Sequence, residues 1–205
     1  MQTEHSNAQI LRNLRLANEQ AKLSVARGNH PFGAILVDAD NETVLMASGN
    51  QGSLRHAEIE LIREASSVYS PEQLWRCALY STVEPCVMCA GAQYWANIGT
   101  LVYGIAESTL LRLTGDHAAN PTLNVPSRHV FTHGQKAIEV LGPVNEVEQE
   151  IVALHETFLT FFLIACRVFV LQAEALFMRQ AFLIAQHTRV HCRNRRNTMK
   201  LMVGV

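Results

Sequence analysis

Two short runs in this sequence carry residue types that could do chemistry together. In "RHAEIE" His56 stands two residues before Glu58, and in "EPCVMCAG" Cys86 stands three residues before Cys89, directly after Pro85. A thiol pair at that spacing serves as a redox couple, as half of a structural zinc site, or as part of a catalytic one. The chain has no second Cys-x-x-Cys, which argues against a zinc ribbon. A redox pair would leave the histidine and the acid unexplained. His56, Cys86 and Cys89 together make a three-ligand set with a fourth tetrahedral position open, as catalytic zinc requires. Water in such a position has its pKa lowered to roughly 7. Glu58 is not needed as a ligand, so it can take a proton from that water and pass it to a leaving group.

These residues need elements to position them. Ile10, Leu11, Leu14, Ala17, Ala21 and Val25 recur at helical spacing from about Ser6 to Arg27, and Gly28 and Pro31 stop that helix. "FGAILVD" and "TVLMASG" read as two strands of a hairpin joined by "ADNE". His56 opens a second helix, with Ile59, Ile62 and Ala65 on one face. "CALYSTV" is a buried strand, and "PCVMCAGAQYWANI" is a helix with proline in its first turn. Cys86 and Cys89 then share a face at the positive end of a helix dipole, which favours thiolates. "TLVYGI" and the weaker "KAIEVLG" are further strands, followed by a helix from about Asn145 to Thr157. Residues 115–135 are polar, hold Asp116, His117, His129 and His133, and read as a long loop. Strands alternating with helices predict a layered α/β domain.

Composition narrows the class. With 48% hydrophobic and 17% charged residues among 205, the chain can build a core and is not disordered. Five cysteines, unevenly spread, do not make a secreted disulfide scaffold. The N-terminus lacks an apolar signal segment, so a cytoplasmic location is expected. Residues 1–157 hold 10 Lys+Arg against 17 Asp+Glu (−7), whereas residues 158–205 hold 7 against 1 (+6). An acidic body is a poor surface for nucleic acid.

His56-Ala57-Glu58 followed by Pro85-Cys86-Val87-Met88-Cys89 resembles the H-x-E…P-C-x-x-C signature of zinc-dependent nucleobase and nucleoside deaminases. "HPFGAILVD", "HAEIELIREA", "LYSTVEPCVMCAGAQYW" and "LVYG", in that order, resemble the guanine deaminase and tRNA adenosine deaminase branch of the cytidine-deaminase-like superfamily. The resemblance spans roughly residues 30–157. It implies a three-layer α/β/α fold around a mixed five-stranded sheet. It implies one zinc held by His56, Cys86 and Cys89, with Glu58 as the catalytic proton carrier. It also implies substrate contacts from Asn50, from the backbone N–H near Ala57 and from the backbone carbonyl near Glu84, whose side chain is read as structural. The loop from Asn50 to His56, with five intervening residues, is shorter than is usual in such relatives. The implied reaction is hydrolytic deamination of a small base or nucleoside, a guanine-like purine ahead of a pyrimidine, by a homodimer. A tRNA adenosine deaminase and an inactive zinc-stabilised interaction module are the competing readings.

The resemblance ends near Phe158, so the chain divides into a deaminase domain, 1–157, and a tail, 158–205. The tail is apolar and helix-compatible, then basic. From Phe158 to Ala173 it is shorter than the ~20 residues of a membrane span and contains Arg167. It reads as a packing or dimer-contact helix, not as an anchor. Phe32 reads as core, with a pocket wall as the alternative, His30 as a loop histidine, and Cys77, Cys166 and Cys192 as ordinary residues.

Overall fold

The computed structural model describes residues 6–115 and 123–161. Its elements are α1 (Asn7–Ala26), β1 (Gly33–Val37), β2 (Val44–Gly49), α2 (Ala57–Val68), α3 (Pro71–Leu74), β3 (Ala78–Val83), α4 (Val87–Ala96), β4 (Thr100–Ile105), α5 (Glu107–Thr114), α6 (Ser127–Thr132) and β5 (Glu139–Leu141). A single 3-10 turn, Asn145–Val147, leads into a helix over 148–161. The chain divides into two compact units, Met1–Leu159 and Thr160–Val205. The second lies outside the described residues apart from its first two, and so does the expectation for the tail.

The sheet runs β2-β1-β3-β4-β5. β1 pairs antiparallel with both β2 and β3, while β3, β4 and β5 are parallel. This is the expected mixed five-stranded sheet. β1, β3 and β4 are buried along their whole length, as suits strands covered on both faces. Alternation along them builds two cores. Ala34, Leu36, Leu79, Leu101 and Tyr103 pack with Ala57, Leu61 and Ala90 of α2 and α4. Ile35, Val37, Ala78, Tyr80 and Val102 pack with Leu14 and Ala17 of α1 and with Ile151.

Helix α1 starts where Ser6 caps it, with Gln9 completing a reciprocal capping box. It lies close on the sheet because β1 begins with glycine. A Cβ at Gly33 would collide with the Ala17 carbonyl and the Ala21 amide. The first turn after α1 therefore passes beside the start of β1 and the end of β2, where Asn50 follows.

Two local expectations change. Pro85 is not in the first turn of α4. Cys86 is the N-cap and the helix begins at Val87, so Cys86 and Cys89 stand at the cap and in the first turn. The stretch read as one long loop contains α6, held by tertiary hydrogen bonds and not by its own periodicity. Residues 71–74 form a short capped helix, α3, which Ser70 and Gln73 close reciprocally.

His155, on the 148–161 helix, is 2% exposed and stands edge-on to Phe32, ring centroids 5.3 Å apart. Its Nε2 has no hydrogen-bond partner among the described residues. Burial holds its pKa down to about 4, and the charge of His30 acts in the same direction. The unfolded value is about 6.5, so between these two values the unfolded chain binds the extra proton. Stability is then complete above about pH 6.5 and falls as pH drops toward 4, by about 2 kcal/mol at pH 5. His155→Leu is expected to flatten this fall when unfolding is followed at about pH 7.5 and pH 5. Equal acid loss in both proteins would contradict the assignment.

Candidate metal centre and pocket

The C-terminal ends of parallel β3 and β4 face the N-terminal ends of α2 and α4. β3 runs out through Glu84 and Pro85 into Cys86, and β4 runs out through Ala106 into Glu107. Ligand sites of open α/β sheets form outside the carboxyl ends of strands. His56 is the N-cap of α2 and Cys86 is the N-cap of α4, and neither helix has a side-chain cap hydrogen bond. Two positive helix ends thus converge on the thiols.

The three predicted ligands come together. Cys86 Sγ is 3.7 Å from Cys89 Sγ and 3.7 Å from His56 Nδ1, and Cys89 Sγ is 3.5 Å from His56 Nδ1. A tetrahedral zinc with bonds of about 2.3 Å to sulfur and about 2.0 Å to nitrogen sets S–S near ~3.8 Å and S–N near ~3.6 Å. The spacing fits zinc without movement. Among the described residues these are the only three grouped closely enough to hold a metal ion. The hydrogen bond from Cys89 lowers the Cys86 thiol to about 4 and raises Cys89, which burial raises further. The contact between His56 and Cys86 raises the His56 pKa.

Glu58 sits in the first turn of α2, 5% exposed. Ser81 Oγ donates to its Oε1 at 2.8 Å, and its Oε2 lies 3.6 Å from Cys89 Sγ. Burial raises its pKa, against the pull of Ser81 and His56. Asn50 is buried, with its backbone tied on both sides. Its N–H donates to the Phe32 carbonyl, and its carbonyl accepts from Ser24 Oγ. Its side-chain Oδ1 has no partner among the described residues.

The Glu84 side chain accepts hydrogen bonds from two other elements. Oε1 accepts from both the N–H and the hydroxyl of Ser127, at 2.9 and 2.8 Å, and Oε2 accepts from the Glu107 N–H at 3.3 Å. One carboxylate therefore ties the starts of α5 and α6 to the end of β3. Ala57 is fully buried in the first turn of α2. It does not line the cavity.

That cavity measures about 410 Å³ and reaches Asn50, His56, Glu58, Glu84, Cys86 and Glu107. Phe32, Val83, Met88, Leu110 and Leu123 supply apolar wall, and His30 joins the rim. Phe32 and His30, read as core and loop, thus border the site. Among the described lining residues there is no lysine or arginine. Glu107 was not singled out in the sequence. Its signal was an acid just past the apolar strand "LVYGI", at a strand's carboxyl end. It is 7% exposed. Burial pushes its carboxyl up to about 8, helped by the negative charges of Cys86, Glu58 and Glu84.

Residues 8–105 match the model of the cytidine and deoxycytidylate deaminase zinc-binding region. A probable cytosine deaminase of Schizosaccharomyces pombe is 34% identical over 149 residues, spanning 71% of this chain and 89% of the other. A tRNA-specific adenosine deaminase of Rickettsia bellii is 35% identical over 100 residues, 46% of this chain and 69% of the other. The structure of a guanine deaminase from Nitrosomonas europaea shares the fold at 20% identity, with a TM-score of 0.54 over 77% of this chain and 86% of the other. The zinc spacing, the ordered motifs, the sheet and a relative matched over nearly its whole length agree: this chain belongs to the zinc-binding cytidine and deoxycytidylate deaminase family, and it is a hydrolytic deaminase.

Proposed function

We propose that this enzyme deaminates a free, uncharged nucleobase or nucleoside, a guanine-like purine ahead of a pyrimidine. The observation that carries this reading is the cavity of about 410 Å³, rich in acceptors and without lysine or arginine among its described lining residues. A nucleotide or a tRNA stem-loop brings phosphates that need cations. A neutral base needs only hydrogen-bond partners and apolar walls. Guanine carries ring N–H donors as well as its amino group, and so suits a site with the unpartnered Asn50 Oδ1 and the Glu107 carboxyl better than adenine does.

In this reading His56, Cys86 and Cys89 hold one zinc, which acts as a Lewis acid and makes the attacking water acidic near neutral pH. Glu58 takes a proton from that water as oxygen bonds to the amino-bearing ring carbon. It delivers that proton to the neighbouring ring nitrogen and then carries the hydroxyl proton to the departing amino nitrogen, so that the C–N bond breaks, ammonia leaves and a ring carbonyl remains. Burial supports this role by raising the carboxyl's proton affinity. Phe32 and Leu110 exclude bulk water. Asn50 Oδ1, the Glu84 carbonyl and the uncapped N–H groups at the start of α2, near Ala57, orient the ring.

Met88 and Trp95, seven residues apart on α4 and 37% and 81% exposed, give an apolar stripe that supports the homodimer reading. A cytoplasmic location is part of the same proposal. Among the described residues no helix is long and apolar enough to cross a membrane. The deaminase function is assigned to residues 1–157.

Cys86→Ala is expected to lose zinc and thermal stability together, because ligand bonds contribute to folding. Glu58→Gln should keep zinc, by metal analysis, while turnover falls by about 10²–10⁴-fold. Full activity in metal-replete Glu58→Gln would remove the proposed proton path. The substrate test is ammonia release from guanine, guanosine, cytosine, cytidine, adenine and adenosine, run beside inosine formation in a tRNA anticodon stem-loop. Turnover of free bases is expected, and editing of the stem-loop alone would favour the tRNA reading. A chain ended after Leu159 keeps Phe158 against His30, ring centroids 5.0 Å apart. It is expected to hold zinc and retain turnover, and failure to bind zinc would place the tail within the deaminase core.

A further inference from the structure

We infer that Glu107 is a specificity-determining residue: its carboxyl accepts a hydrogen bond from a ring N–H of the base, apart from the amino group that leaves. This deepens the proposed function and rests on it. Glu107 opens α5 two residues beyond the end of β4, and its backbone N–H is fastened to Glu84 Oε2. Glu84 in turn follows β3, the strand that leads to Cys86. The position of Glu107 relative to the zinc ligands is thus set by two paired strands and one buried carboxylate, not by a free loop.

The carboxyl is 7% exposed and borders the cavity. Among the described residues no ion pair involves it, and no side-chain hydrogen bond offsets its desolvation. An acid removed from water without a partner is costly. Leu110, one turn later on the same helix, packs in the core as an apolar side chain does, so an apolar residue at 107 would satisfy packing alone. A carboxyl at this position becomes favourable when a ligand supplies the partner. Glu84 does not compete for this role, because both its oxygens are occupied by Ser127 and the Glu107 N–H. Glu58 faces Ser81 and Cys89. That leaves Glu107 as the carboxylate of the lining whose side chain is not engaged by another described residue, beside the unpartnered Asn50 Oδ1. They follow the ends of β4 and β2, which are separated in the sheet by β3 and β1. Ionised or neutral, a carboxyl offers an oxygen acceptor, and the recognition does not depend on its protonation.

The experiment uses full-length, zinc-replete wild type, Glu107→Gln and Glu107→Leu. The substrates are guanine, 1-methylguanine and 9-methylguanine, with cytosine and 1-methylcytosine as the pyrimidine pair. In the wild type, methylating the N–H that Glu107 reads should lower kcat/KM by about tenfold or more. Glu107→Leu should lower kcat/KM for the parent base by about 10–100-fold, mainly through KM, and should abolish the penalty for that methyl group. Glu107→Gln, whose amide oxygen still accepts, should retain part of the discrimination. Zinc content should stay at the wild-type value in both variants, and Tm should not fall and should rise in Glu107→Leu, which separates recognition from a structural role. Unchanged kcat/KM in Glu107→Leu, or methyl penalties identical in wild type and variant for every analogue, would overturn the inference while leaving the functional reading intact. Absence of turnover of any base by the wild type would overturn both.

Discussion

The structure depends on holding three electron-pair donors within 3.7 Å of one another from two helix starts. Two thiols and an imidazole packed that closely are unfavourable unless positive charge compensates them. The helix N-termini of α2 and α4 supply part of it, and zinc supplies the rest. His56 and Cys86 are thirty residues apart, so their approach needs a rigid frame. The frame is the pair β3 and β4, parallel and buried on both faces, with α4 as the crossover between them. Parallel pairing aligns the strand ends, and that alignment brings Glu84, Cys86 and Glu107 to one edge.

Glu84 gives this edge its second anchor. An unpaired buried carboxylate is destabilising, whereas one accepting several hydrogen bonds is a strong constraint. Here it collects three, from residues 23 and 43 positions away. The starts of α5 and α6 are thereby tied beside the metal site, and α6 persists although its six residues are too short to be helical alone.

The cavity has an electrostatic character of its own. Acids and thiols crowd one end and no described lining cation offsets them, so burial and mutual repulsion raise the proton affinity of Glu58 and Glu107. A divalent cation is the natural complement of such a site. The acidic balance of residues 1–157 points the same way over the whole surface.

Much of this was legible in the sequence, because it rests on local rules. Helical spacing marked α1 and α2, and apolar runs marked β1, β3 and β4. The spacing within His56-Ala57-Glu58 and Cys86-Val87-Met88-Cys89 limited the chemistry to a short list, and the order of the motif blocks pointed to the family. What the spacing could not decide was which distant groups would meet. The strand order brings Glu107 beside the ligands, and the reach of Glu84 turns a polar stretch into α6. The approach of the 148–161 helix places His155 behind Phe32. Pro85 misled for the same reason: a first-turn proline is a local preference, but here Cys86 takes the cap position. Periodicity and composition act over one or two turns of chain, whereas the pairing of strands and the desolvation of a carboxyl depend on residues far apart in sequence. Only the tertiary structure could decide those.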